Sequence, residues 1–311
     1  MIPFFSDAFL TAFVVAALAS AIPVMLAAIG ETVGEQSGVL NLGIEGLLLI
    51  GGYFGFVATI VTGSFWLGFL IGALASIILS SILMALSVLL GLNQIVVGIG
   101  ITLAGTGVSS VLYDFSYGSS KPRLGLDAPW TIPFLSDIPV IGPSLFAQPG
   151  MFYVSMLLAL VTSIWLYRTT SGLRLRSAGQ KPSSLDAAGG NVAVTRSLAV
   201  LFGGAMSGLG GAYLALISAG TFTPGMTHGM GFLAIVIAML ARGRLLWVLL
   251  ISLIYGLFVA MGTVLQLTSL NIPNDVVTIM PFIAVMIVLT FFARRSALPA
   301  ALAIPYVRGA R

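Results

Sequence analysis

The chain is a succession of apolar stretches, each close to the roughly 20 residues a helix needs to cross a bilayer, separated by short breaks rich in Gly, Pro and polar residues. Taking those breaks as boundaries places spans at 8–29, 45–63, 65–90, 94–113, 150–167, 194–218, 228–241, 245–268 and 276–293. The expected fold is an all-α polytopic transmembrane bundle of about nine spans, with residues 1–311 forming one membrane domain. Only 7% of residues are charged and 59% are hydrophobic. Soluble domains carry roughly 25% charge, so a water-facing surface cannot be assembled from this chain. The first 30 residues carry no basic stretch ahead of their apolar run, which reads as an uncleaved span and not as a signal peptide.

Basic residues orient the spans, because cytoplasmic loops near span ends are enriched in Lys and Arg. Arg168, Arg174, Arg176, Lys181 and Arg196 bracket one loop, Arg242 and Arg244 mark a second, and Arg294, Arg295, Arg308 and Arg311 lie near the end of the chain. Nine alternating spans put all three groups on one side, which predicts an outside N-terminus and an inside C-terminus. The segment 114–149 then lies outside and holds six of the fourteen prolines. It is too interrupted for a regular helix and reads as an ordered cap or docking surface, with a passive connector as the alternative. Residues 169–195 form the corresponding inside loop.

Several chemistries are excluded outright. There is no cysteine and a single histidine, His228, so disulfides, thiolate sites and multi-histidine metal sites are impossible. The only lysines, Lys121 and Lys181, do not follow the glycine spacing of a phosphate-binding loop. No hydrolase elbow or metalloprotease helix occurs. The chain is expected to need no cofactor, to catalyse no reaction itself and to bind no nucleic acid. Glycine pairs at helical spacing, Gly51 with Gly55, Gly68 with Gly72 and Gly204 with Gly208, predict faces where helices approach closely.

Two segments stand out. Residues 30–46, GETVGEQSGVLNLGIEG, place Glu31, Glu35, Asn41 and Glu45 among glycines between two apolar runs. They predict a broken helix lining a pathway, since irregular polar backbone at membrane depth survives only inside protein or along a cavity. The alternative puts the glutamates in headgroup water. Residues 171–196 centre on a short helix opening near Pro182 and closing at Gly189 and Gly190, with Leu185, Ala187 and Ala188 as a low-profile apolar surface for a soluble partner, or else a solvated loop. Phe54, Asn93, Gln94, Thr102, Thr106, Phe232 and Tyr255 are further candidates to face a pathway, each with helix packing or an interhelical hydrogen bond as the alternative role. His228 is expected at an interface.

Four pieces in order, GETVGEQSGVLNLGIEGLLLIGGY, LNQIVVGIGITLAG, GLRLRSAGQKPSSLDAAGGNVAVTRSLAVLFGGAMSGLGGAYLAL and GFLAIVIAMLARGR, resemble the permease subunits of bacterial ABC importers for simple sugars and nucleosides. The string GVLNLGIEG looks more like the nucleoside and purine branch than the ribose branch. The resemblance implies a half-channel in the bacterial inner membrane, paired with itself or a sibling permease and served by cytoplasmic ATPases and an extracytoplasmic substrate-binding lipoprotein. Ser183, Ser184, Leu185, Asp186, Ala187, Ala188 and Gly189 would form the helix that couples to the ATPase. Asn41, Glu45, Phe54, Asn93, Thr102 and Phe232 would line the translocation pathway. Ribose-type permeases begin with one further span, an absence that agrees with an outside N-terminus. A rival reading uses Glu31, Glu35 or Glu45 as proton sites of an ion-coupled transporter; another keeps the importer class but gives it a ribose-like sugar or branched-chain amino acid as cargo.

Overall fold

The structure, a computed structural model, describes residues 6–118, 120–125, 127–267, 279–280, 282–287, 290 and 298–306. The long helices are α1 (Asp7–Ser37), α2 (Ile44–Thr62), α3 (Phe65–Leu83, continued by a π-helical turn Met84–Leu89) and α4 (Gln94–Tyr117). After an irregular stretch come strand β1 (Pro129–Thr131), the short α5 (Ile141–Phe146) and strand β2 (Ala147–Pro149). Then follow α6 (Gly150–Arg168), α7 (Thr170–Gln180), α8 (Pro182–Ala187) and α9 (Val192–Tyr213, with a π turn Leu214–Ser218). Helices α10 (Met230–Ala241) and α11 (Leu245–Leu267) close the described bundle.

Seven helices among the described residues are long and apolar enough to span a membrane, and α10, with 12 residues, is not. The chain is thus a polytopic helical membrane protein. The expected span 276–293 lies largely outside the described residues. Two expectations need correction. The all-α reading misses a small antiparallel ladder between α4 and α6, where β1 pairs with β2 and Trp130 faces Gln148. The break expected over 30–46 is confined to 38–43: α1 runs unbroken for 31 residues through Glu31 and Glu35. Gly30 does not interrupt it because it packs against Gly203 of α9, where a Cβ would come within 3.0 Å of the Gly203 backbone. The stop is Gly38, whose φ of 93° closes the helix as a left-handed cap, with its N–H on Glu35 O and Val39 N–H on Gly34 O at 3.0 Å.

Helices α1, α2 and α9 form the buried centre. Helices α3, α4, α6 and α11 pack around them and present Leu74, Leu103, Leu160 and Leu250 outward, as lipid requires. The three predicted glycine pairs converge at the centre. A Cβ on Gly51 would fall 2.5 Å from Gly208 Cα, one on Gly72 2.6 Å from Gly51 O, and one on Gly55 3.1 Å from Gly68 O, so α2, α3 and α9 touch backbone to backbone. Pro23 inside α1 removes one helical donor, and the Ala19 carbonyl left free four residues earlier accepts from Ser218 Oγ at 3.0 Å.

At one end of the bundle three regions meet. The Tyr167 hydroxyl bonds Gly243 O, Gly243 abuts Gln36, and residues 301 and 303 bond Gly179 and Gly38 through their backbones. The loops carrying the internal basic clusters and the described part of the C-terminal segment therefore share the end where α1 finishes. At the opposite end Leu124 N–H donates to Gly220 O at 2.8 Å, and Trp130 stacks near Trp66 at 5.9 Å.

Candidate translocation and coupling sites

Helix α2 does not start at the end of the bundle. Its second and third residues, Glu45 and Gly46, lie beside the middle of α4: a Cβ on Gly46 would meet Ile101 O at 2.5 Å, and one on Gly105 would meet the Gly46 backbone at 2.5 Å. Helix α10 starts at the same height. The Glu45 carboxylate accepts the Thr227 hydroxyl at 2.6 Å and the Gly229 N–H at 2.8 Å on Oε1, and the Gly231 N–H at 2.6 Å on Oε2. A carboxylate suits this place because helix N-termini present free N–H groups and a positive dipole end. Gly231 is required, since a Cβ there would lie 2.4 Å from Glu45 N, and Gly229 takes a φ of 87° that favours glycine. The segment 219–229 thus runs from Ser218, which meets Ala19 of α1, to mid-height before α10 begins. Like the break at 38–43, it is irregular backbone inside the bundle.

The link 38–43 is held from three sides. Glu31 Oε1 accepts Asn41 N–H at 3.1 Å, Gln94 Oε1 accepts Leu40 N–H at 2.9 Å, and Thr102 Oγ1 donates to Leu42 O at 2.8 Å. Asn41 Oδ1 closes a local turn on Gly43 N–H at 2.8 Å. Glu35 is buried, and its Oε1 has no hydrogen-bond partner among the described residues.

Of the six pathway candidates, Asn41, Glu45, Thr102 and Phe232 come together: Phe232 follows Gly231 in α10 and is 47% exposed, and Thr102 ties the link to α4. Phe54 lies more than two turns further along α2, edge-on to Tyr53 at 5.2 Å, beside the aromatic layer of Tyr53, Phe222 and Tyr113. Asn93 is placed apart. It is exposed at the end of α4, where its Oδ1 caps Ile95 and Val96 N–H. Tyr255 is buried, and His228 is exposed with a φ of 44°. Sequence reasoning missed Thr227, Gly229 and Gly231; the glycine cluster just before GFLAIVIAMLARGR was the available signal.

The second site is α8. Pro182 occupies its first turn, which a missing N–H suits, and Gly189 at φ 80° follows its end. Ser183, Ser184, Ala187, Ala188 and Gly189 are exposed and Asp186 is half-exposed. Leu185 corrects the expected docking surface: it turns inward at 5% exposure and packs with Ala178, Val192 and Tyr306. The helix is too short to hold itself, so its one large apolar residue anchors it and the small residues face out. A groove of about 610 Å³ beside it is lined by Trp165, Arg174, Leu185, Asn191, Leu198 and Phe202.

A helical membrane bundle with irregular backbone packed inside it and a short exposed helix at one end is an architecture that a transport protein's membrane subunit can use. Residues 13–290 match the family described as branched-chain amino acid transport system / permease component, and the chain belongs to it. It is an ABC transporter permease, a non-catalytic membrane subunit of an importer. It is 31% identical to the guanosine ABC transporter permease protein NupQ of Bacillus subtilis, over 97% of this chain and 98% of that one. It is 30% identical to the nucleoside ABC transporter permease protein NupC of Lactococcus lactis, over 92% and 93%. It is 34% identical to a putative glucose ABC transporter permease protein, TsgC13, of Haloferax volcanii, over 83% and 79%. No solved structure matches.

Proposed function

We propose that this permease carries a nucleoside inward, as half of a pathway completed by a second permease copy or sibling in the bacterial inner membrane. The observation that carries the cargo is the end-to-end similarity to proteins named for guanosine and nucleosides. The site is compatible with it: Phe232 offers a partly exposed π face near the polar node at Glu45, Asn41 and Thr102, and Phe54 another more than two turns further along α2. A base can stack on such faces while hydroxyls meet polar groups. A sugar is the second reading, supported by the glucose-named relative. The cytoplasmic ATPase binds the outer face of α8, and an extracytoplasmic binding protein docks on 118–149. Cells expressing this permease with its ATPase and binding protein are expected to accumulate labelled guanosine, with excess unlabelled nucleoside but not glucose abolishing uptake. Competition by glucose alone would transfer the cargo to the sugar reading.

The same proposal puts the N-terminus outside, counts α10 as the seventh of nine spans and places the ninth at 276–293. The chain contains no cysteine, so single cysteines report accessibility without background. An impermeant maleimide applied to intact spheroplasts is expected to label Thr131→Cys, and to label Ser183→Cys only after permeabilisation. The reverse pattern would invert the topology.

A further inference from the structure

Below the link 38–43 lies a joint that the transport reading leaves unexplained. Arg196, near the start of α9, is 3% exposed. Its Nε donates to Ser37 O at 3.2 Å, its Nη1 to Ile304 O at 2.7 Å, and its Nη2 to Ala178 O at 3.2 Å and Ala301 O at 3.3 Å. All four partners are backbone carbonyls. Ser37 is the last residue of α1, and Ala178 is in the last turn of α7. Both are carbonyls that a helix end leaves without a partner and at its negative pole, which is why one guanidinium can serve them without a carboxylate. Charge-assisted bonds of this kind are roughly twice as strong as neutral ones, and the planar fork fixes the relative position of the groups it spans.

The C-terminal segment 298–306 threads the same joint. Ala301 N–H donates to Gly179 O at 2.9 Å and Ala303 N–H to Gly38 O at 3.1 Å, so this strap laces the end of α7 to the end of α1. Two glycines make room. A Cβ on Gly38 would meet Arg196 Nη2 at 2.7 Å, and one on Gly179 would meet Gln36 O at 2.4 Å. Tyr306 then packs against the cluster of Ala178, Val192 and Leu185, the inward anchor of α8.

These contacts form a continuous mechanical line. One residue, Lys181, joins α8 to α7; Arg196 joins α7 to the end of α1; Ser37 leads through the hydrogen-bonded link 38–43 to Glu45 at the start of α2. We propose that Arg196 is the positioning residue that converts displacement of α8 into movement of the link and of the Glu45 node, with the strap 298–306 keeping the three segments in register. This rests on the reading of α8 as the ATPase-binding helix.

The test uses the complete complex of permease, ATPase and binding protein in proteoliposomes, with uptake and ATP hydrolysis measured together. Arg196→Gln is expected to retain the ATPase on co-purification and to hydrolyse ATP within about two-fold of wild type, while substrate moved per ATP falls about ten-fold. Arg196→Lys keeps the charge but not the fork, and its ratio is expected between the two. Equal loss of hydrolysis and uptake, leaving the ratio unchanged, would show that Arg196 only holds the fold; unchanged uptake would equally overturn the proposal. If Arg196→Gln fails to assemble, Arg196→Lys decides: a wild-type ratio overturns the proposal, a lowered one sustains it. Ala187→Trp, on the exposed face of α8, is expected to lose the ATPase itself. Its retention would sink the reading of α8, a failure distinct from that of Arg196.

Discussion

Replacing Glu45 by glutamine is expected to destabilise the protein by about 2–6 kcal/mol and to abolish uptake, two buried donors being left unmatched at roughly 1–3 kcal/mol each. The carboxylate accepts three bonds on two oxygens, at 2.6, 2.8 and 2.6 Å. A carboxamide has one acceptor oxygen. Turned toward Thr227 and Gly229 it sets its NH₂ against the Gly231 N–H; turned the other way it sets NH₂ against the Gly229 N–H. Alanine leaves all three donors bare, and aspartate is too short to reach both sides. Glu35→Gln is the internal comparison. Its Oε1 has no partner among the described residues, so the change should alter stability by no more than about 1 kcal/mol. Thermal unfolding in detergent, followed by tryptophan fluorescence, separates the two. Wild-type melting and uptake for Glu45→Gln would remove the node from both stability and transport.

The second large effect is expected at Gly211. An alanine Cβ there would lie 1.8 Å from the Leu48 carbonyl oxygen, a backbone atom that cannot swing aside as a side chain does. Overpacking costs typically 1–3 kcal/mol, and with backbone on both sides Gly211→Ala should reach about 3 kcal/mol or more, lowering both the yield of folded protein and its melting temperature. Gly107→Ala supplies the opposite sign. Nothing lies within 4 Å of a Cβ at that position in α4, so the substitution removes only the entropic cost of a helical glycine and should stabilise by up to about 1 kcal/mol. Equal melting temperatures for the two variants would mean that α2 and α9 do not touch as described.

The glycines show how far local reasoning reaches. Spacing identified Gly51, Gly55, Gly68, Gly72, Gly204 and Gly208 as close-approach positions, and these six lie at backbone-to-backbone or backbone-to-serine contacts. Spacing did not single out Gly211, nor did it reveal that Gly30, Gly105 and Gly231 have the same need. A glycine that admits a neighbouring helix and one that ends its own look alike until the neighbour is present. The segment GETVGEQ illustrates the same ambiguity. Two glycines and two glutamates in seven residues predict a break, yet α9 fills the space beside Gly30 and the helix continues to Ser37. Leu185 was read as surface because it sits in a polar loop, while the burial that anchors α8 comes from Ala178, Val192 and Tyr306, which no window on residues 183–189 contains.

What the sequence determined by itself is the membrane class, the positions of most spans, the short helix after Pro182 and the grouping of basic loops. In lipid each helix must satisfy its own backbone, so apolar length alone dictates where helices form. What only the tertiary structure decided is where the polar groups find their partners. Glu45 meets Gly231 across 186 residues and Arg196 meets Ser37 across 159. Those distant pairings choose the height at which α2 and α10 begin and tie the ends of α1 and α7 to α9. They depend on which helices become neighbours, and local pattern carries no record of that.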